Sequence, residues 1–166
     1  MKKTCVILLS ILLMFVMISC QEDEEVDVVT TASIVNDGDA VIKGLSKDGT
    51  WIVATLNNIA LTEDLVVDGE FTDDGEVVRK LALYTQDEDR NITASFTLKA
   101  PMMIVRSENF KIQGGTFEGD VIVEANGFQL SKQAVVDGNI YFQKQEFMDS
   151  FIIKDEAEVT GIMEVK

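Results

Sequence analysis

Apolar and polar residues alternate along the second half of the chain with a period of two, the pattern of half-buried β-strands. In Val136-Asp137-Gly138-Asn139-Ile140-Tyr141-Phe142, one face holds Val136, Gly138, Ile140 and Phe142; the other holds Asp137, Asn139 and Tyr141. The same split places Phe117, Gly119, Val121 and Val123 against Glu118, Asp120, Ile122 and Glu124. It recurs at Val159, Gly161, Met163 and Val165, and at Val67, Gly69 and Phe71. A glycine inside the core set fits a bend or a close approach of backbones.

The phrase itself repeats. Ile59, Phe128 and Phe151 each stand ten positions before a glycine: Gly69, Gly138 and Gly161. Gly115, Gly138 and Gly161 are 23 residues apart, and Gly69 lies 46 before Gly115, two such periods. A period in the twenties, rich in Val, Ile and Phe and with a single proline, predicts a β-solenoid whose equivalent residues stack in ladders. A β-sandwich also uses evenly spaced short strands, but it has no reason to repeat a phrase.

Turn signals divide the rest. Asn36-Asp37-Gly38, Lys47-Asp48-Gly49, Asp73-Asp74-Gly75 and Gln86 to Arg90 read as turns or bends. Ala40-Val41-Ile42, Trp51 to Ala54 and Leu81 to Tyr84 read as strands, and Ile92 to Val105 as strand with Pro101 at a corner. No segment carries a sustained helical stripe with caps, so little helix is expected. The expected organisation is a leader over 1–19, an anchor and acidic tether over 20–30, N-terminal strands over 31–58 and the solenoid over 59–166.

The start of the chain belongs to targeting rather than to the fold. Lys2 and Lys3 precede an apolar run from Cys5 to Ile18, which is short for a membrane-spanning helix. It closes on Met17-Ile18-Ser19-Cys20, which resembles a bacterial lipobox; Met17 stands where leucine is usual. The resemblance implies diacylglycerol transfer to the Cys20 thiol, cleavage before Cys20 and acylation of the new amine. Several acyl chains make a stable anchor. Cys5 and Cys20 are the only cysteines, so the mature domain would hold neither a free thiol nor a disulfide. Gln21-Glu22-Asp23-Glu24-Glu25 then reads as a solvated tether. The expected location is the exported side of the cell envelope, with the membrane reached through lipid.

About 146 residues follow the leader, enough for one domain with a sizeable core. Loss of Lys2 and Lys3 takes the net charge of −15 two units further, to −17. Such a surface repels phosphate backbones, which excludes nucleic acid as an expected partner.

Within this frame Gly119-Asp120-Val121-Ile122-Val123 and Val136 to Phe142 are similar to the glycine-punctuated rungs of bactofilins, bacterial polymer-forming proteins. Ile112 to Val121 and Gly44-Leu45-Ser46-Lys47-Asp48-Gly49-Thr50-Trp51 resemble segments of exported lipoproteins of the same polymer-forming kind. The resemblance spans roughly residues 44–166. It implies an all-β fold, a single-stranded right-handed parallel β-helix with short rungs, and a capacity to polymerise. The leader and lipobox depart from the cytoskeletal members, so a cytoplasmic role does not carry over.

Chemistry is sparse. There is no histidine, which excludes Ser-His-Asp and Cys-His catalysis and histidine-bound zinc. Gly114-Gly115 lacks the helix and the Gly-Lys-Ser/Thr of a phosphate loop. Asp87, Glu88 and Asp89 beside Arg90, and Asp73 with Asp74, are the carboxylates a polysaccharide-cleaving β-helix would use; they read first as solvated turns. Asn36-Asp37-Gly38-Asp39 lacks the spaced acids of a calcium loop. No catalytic, metal or cofactor site is expected. Trp51 and Tyr141 are candidate sugar-stacking rings, Tyr141 the better because it faces outward. The last unit, to Lys166, shows no amphipathic cap, which makes Met163 and Val165 candidate assembly residues. The expected function is a non-enzymatic structural or interaction lipoprotein that self-associates end to end, with an envelope glycan or protein as a further partner. The alternative is a polysaccharide-binding or polysaccharide-cleaving β-helix protein.

Overall fold

Val, Ile, Leu and Phe at alternate positions hold about half of residues 33–166, the part described by the structure (a computed structural model), in short strands. In chain order these are β1 Ser33–Val35, α1 Gly38–Leu45, β2 Ile52–Thr55, β3 Ile59–Ala60, β4 Leu65–Val67, β5 Thr72–Asp73, β6 Glu76–Val77, β7 Arg79–Ala82, β8 Tyr84–Gln86 and β9 Ile92–Ser95. There follow β10 Thr97–Val105, β11 Phe110–Gln113, β12 Thr116–Val123, β13 Gln129–Ser131, β14 Val135–Asp137, β15 Ile140–Phe142, α2 Gln145–Asp149, β16 Ile152–Ile153, β17 Glu158–Val159 and β18 Met163–Val165.

The fold is all-β, built on two parallel sheets. Sheet A runs β1-β2-β7-β11-β13-β16. In sheet B, β3 and β4 pair with β10, then come β12, β14 with β15, and β17 with β18. Neither sheet closes on itself. Two antiparallel hairpins, β5–β6 and β8–β9, stand off the sheets.

Each later repeat adds one strand to sheet A and one bent strand to sheet B, and matching residues stack. Val53, Leu81, Ile112 and Leu130 form one fully buried row of sheet A. Leu98, Phe117 and Val136, with Met103, Val121 and Ile140, form two in sheet B. Phe110 stacks on Phe128 at 5.9 Å and 7°, and Phe128 on Phe151 at 5.3 Å and 20°. Each fully buried phenylalanine removes enough apolar area to contribute about 1.5–3 kcal/mol.

Sheet B bends at a glycine row. A side chain at Gly138 would place its Cβ 2.1 Å from the Gly119 carbonyl oxygen, and one at Gly119, where φ is +145°, would meet Ala100 O at 2.1 Å. In β10 the same bend is made by a bulge between Lys99 and Met102 that contains Pro101, whose missing N–H suits an unpaired position. Pro101 therefore lies within one continuous strand rather than at a corner between two.

Three sequence expectations need correction. Ala40-Val41-Ile42 is helix, not strand. Asp37 caps α1 by accepting a hydrogen bond from the Ala40 N–H at 2.9 Å, and Val41, Gly44 and Leu45 are buried at helical spacing. A three-residue apolar run does not distinguish the two. Secondly, the phrase around Gly69 is out of step with the later two. Ile59 stacks in the row of Leu98, Phe117, Val136 and Val159, whereas Val67 belongs to the row of Val105, Val123, Phe142 and Val165. Thirdly, the partner of Gly138 in the preceding repeat is Gly119, not Gly115. The true step from Phe117 to Val136 is 19 residues, and from Val136 to Val159 it is 23 because α2 is inserted.

Candidate functional site

The two ends of the sheets differ. At the N-terminal end α1 packs against β1, β2 and β4 and buries Val41 and Leu45 completely. Arg79 fastens it there. Its register partner is Phe110, so it occupies the first position of the aromatic row. It is 1 % exposed, lies 4.0 Å over the Phe71 ring and donates to the carbonyls of Asp68, Gly44 and Ser46. A cation at the carbonyl-rich end of a helix is favourable. Burial lowers the guanidinium pKa to about 10, with Asp68 opposing the shift, and Nε has no hydrogen-bond partner among the described residues.

At the C-terminal end β16, β17 and β18 each pair on one side only among the described residues. The N–H groups of Ile152, Lys154, Glu158, Thr160 and Lys166 bond back to the preceding repeat. By the alternation of a parallel ladder, the groups of Ile153, Val159, Met163 and Val165 point the other way. Ile152, Ile153, Ile162, Met163 and Val165 are 39–55 % exposed; among the described residues Ile34 and Leu56, at 43–44 %, are the other large apolar side chains so exposed. Met163 and Val165 thus lie at a free strand edge, in the rows of Ile140 and Phe142. The last repeat is tied back by side chains as well: Asp120 accepts from the Asn139 N–H and Nδ2, and Asn139 Oδ1 accepts from the Ile162 N–H at 3.0 Å.

Tyr141 faces outward from sheet B, half-buried, in a shallow depression of about 440 Å³ with Met102, Asp120, Ile122, Gln143 and Lys166. Lys166 Nζ lies 3.1 Å from the ring centroid and covers that face of the ring. The depression is open and its walls hold one carboxylate.

The acidic turns are scattered. Asp73 and Asp74 sit on the β5–β6 hairpin, and Asp87, Glu88, Asp89 and Arg90 at the tip of β8–β9. The Asp87 carboxylate is engaged by the N–H and Nδ2 of Asn91, which hold its pKa below the ordinary value. Asp37 is used by the α1 cap. Among the described residues no group of three or more His, Cys, Asp or Glu converges on a point where a metal ion could sit. No described helix is long and apolar enough to cross a membrane. Cys20 and the tether lie outside the described residues. Arg79 escaped sequence reading, because nothing local marks a lysine- or arginine-containing strand as having its cation buried. No family model matches the chain, and no curated protein or solved structure was found to be similar to it.

Proposed function

We propose that this chain is a lipid-anchored envelope protein whose domain is a right-handed parallel β-helix, and that it acts without catalysis, as a structural or interaction module that pairs through its C-terminal end. The helix reading rests on the strand order. Successive repeats return to the next position in both sheets, always parallel and always in the same direction along the stack. Crossover connections of parallel strands are right-handed in nearly all proteins. The anchor rests on the lipobox-like Met17 to Cys20, and Cys20 would carry the lipid.

The observation that carries the interaction role is the exposed apolar edge formed by Ile152, Ile153, Ile162, Met163 and Val165. Free strand edges invite pairing with another chain. The occupant that fits is a second copy, C-terminal end to C-terminal end. A head-to-tail contact would have to displace α1 and the buried Val41 and Leu45. A two-fold contact closes at two molecules, so dimers rather than filaments are expected. Asp155, Glu156, Glu158 and Glu164 of the same repeat outnumber Lys154 and Lys166, so salt that screens them strengthens the contact.

Sedimentation velocity on residues 21–166 tests this over a range of salt. The expected result is a monomer–dimer equilibrium that shifts to dimer as salt rises and is abolished by Met163→Glu with Val165→Glu. A monomer at every concentration and salt, or a dimer indifferent to those substitutions, would overturn the proposal. Mass spectrometry of the native N-terminus tests the anchor separately; an unmodified chain beginning after Cys20 would remove it.

A further inference from the structure

The outward side of sheet A is free of acid on a chain that is acid-rich. Because Val53, Leu81, Ile112 and Leu130 point inward, the positions beside them point out. One such row reads Ile52, Lys80, Lys111, Gln129, Ile152 across five strands; Ile52 and Gln129 are only 7 % exposed, so its accessible part is Lys80, Lys111 and Ile152. The neighbouring row, from Ile34 to Ser131, likewise holds no carboxylate. Yet the chain has 29 acids against 14 bases.

Lys80 and Lys111 are direct register partners on adjacent strands, which stand about 4.8 Å apart. Like charges directly opposite in a ladder are destabilising. Sheet B meets the same situation differently: Lys99 pairs with Glu118, and Arg106 with Glu124 at 3.0 Å. Among the described residues neither Lys80 nor Lys111 has a salt-bridge partner. Burial, then the Lys111 charge, lowers the Lys80 pKa, with Lys132 adding to the effect and Asp73 opposing it. Trp51 adjoins Lys80, and Tyr84 adjoins Lys132 further along the sheet: Lys80 Nζ lies 5.3 Å from the Trp51 ring centroid, and Lys132 Nζ 5.1 Å from that of Tyr84.

We propose that this face binds an anionic linear polysaccharide, its carboxylates on Lys80 and Lys111 and its sugar rings against Trp51 and Tyr84. This goes beyond the pairing of C-terminal ends and does not depend on it. An acidic sugar offers what the site asks for, a carboxylate beside an apolar C–H face. A planar anionic membrane is the competing surface for such a lysine pair, and the vesicle arm of the test separates the two. Asp73 is the acid whose charge reaches Lys80, and it forms no ion pair with it among the described residues. At physiological ionic strength the Debye length is about 8 Å, while face-packed sheets stand about 10 Å apart, so the acids on the far side of sheet B are largely screened.

The test is equilibrium binding of the full chain, in detergent, to polygalacturonate, with dextran as the neutral polymer and anionic vesicles as the competing surface. Trp51, the only tryptophan, supplies an emission signal inside the site. The expected result is binding to polygalacturonate but not dextran, with a change in Trp51 emission. Lys80→Gln with Lys111→Gln should weaken it about tenfold or more, the scale of two lost exposed ion pairs. Lys99→Gln, which removes a cation already paired on sheet B, should leave it unchanged. Both variants keep the fold's core, which circular dichroism verifies. No binding to polygalacturonate near physiological salt would overturn the proposal. So would binding unaffected by the lysine pair, equal loss with Lys99→Gln, or binding to vesicles alone.

Discussion

The N-terminal and C-terminal ends of the stack meet the same problem and resolve it differently. A parallel stack ends in unpaired backbone and uncovered core side chains whichever way it is read. At the first end α1 lies over the core, and Arg79 reaches from β7 to take the carbonyls of Gly44, Ser46 and Asp68. At the other end the row that begins with fully buried Ile140 and Phe142 finishes at Met163 and Val165, which are exposed. Among the described residues the core rows are thus covered by α1 at one end of the stack, although Ile34 on the edge strand β1 is exposed, and end on exposed side chains at the other.

The sharpest way to break the comparison is to unfasten the closed end. Arg79→Ala takes the donor from the Asp68 carbonyl and one of two donors from each of the Gly44 and Ser46 carbonyls, and leaves a space under Phe71. The expected loss is about 4 kcal/mol of unfolding free energy, measured by urea titration. Arg79→Met keeps much of the volume without the donors. If that chain is as stable as the wild type, the carbonyl contacts are not what holds α1.

The glycine row gives the next largest effect and compares interior with end inside one series. At Gly138 a methyl group meets backbone on the inner side, the Gly119 O at 2.1 Å, and has nowhere to go. Gly138→Ala should cost about 3 kcal/mol. At Gly161 the nearest atoms are Asn139 Oδ1 and Gly138 O, both at 2.5 Å, but the strand has a free side and can shift outward. Gly161→Ala should cost about 1 kcal/mol. Equal losses at the two positions would show that the last repeat is as rigid as the interior.

How far the chain was legible follows from the same rows. Period-two alternation placed Val136, Ile140 and Phe142 inside and Asp137, Asn139 and Tyr141 outside, as they stand. The last two repeats aligned because both keep the same phrase. The earlier ones did not, for three physical reasons. The hairpins β5–β6 and β8–β9 lengthen the first repeats, and α2 lengthens the last, so no single period fits. The bulge at Pro101 replaces the glycine bend. And the turns before β12, β14 and β17 use left-handed backbone at Gly114-Gly115, then at Lys132-Gln133 and again at Asp155-Glu156. Only the first of these carries the glycines that would announce it. Of the candidate sites, the free edge at Met163 and Val165 was readable from the pattern. The lysine row was not, since Lys80 and Lys111 become neighbours only once the register is known.

A smaller effect sharpens the contrast at the open end. Asn139 carries the polar link from Asp120 in one repeat to the Ile162 N–H in the next. Asn139→Ala removes hydrogen bonds that water can partly replace, so the expected cost is about 1 kcal/mol. The change should be local. Amide exchange should quicken at Ile162 and along β18, and remain unaltered in α1. Uniform acceleration across both ends would mean that the stack opens as one cooperative unit.

Asp87 supplies the smallest effect, because it touches neither end. Its carboxylate accepts from Asn91 Nδ2 at 3.1 Å and from the Asn91 N–H at 2.8 Å, the contacts that hold its pKa below the ordinary 3.8. A depressed acid contributes its stabilisation above the unfolded-state value and loses it as pH falls through the folded one. The window therefore lies below 3.8. Proton resonances followed from about pH 5 to about pH 2.5 should show the Asn91 amide moving and exchanging faster in that window. The amides of α1 and of β18 should respond to pH identically in the wild type and in Asp87→Ala, because the hairpin tip is exposed and stands off both sheets. Asp87→Ala should remove the Asn91 transition and nothing else. If β18 instead loosens together with the hairpin, the open end is coupled to the side of the stack, and its accessibility to a second copy would change with acid.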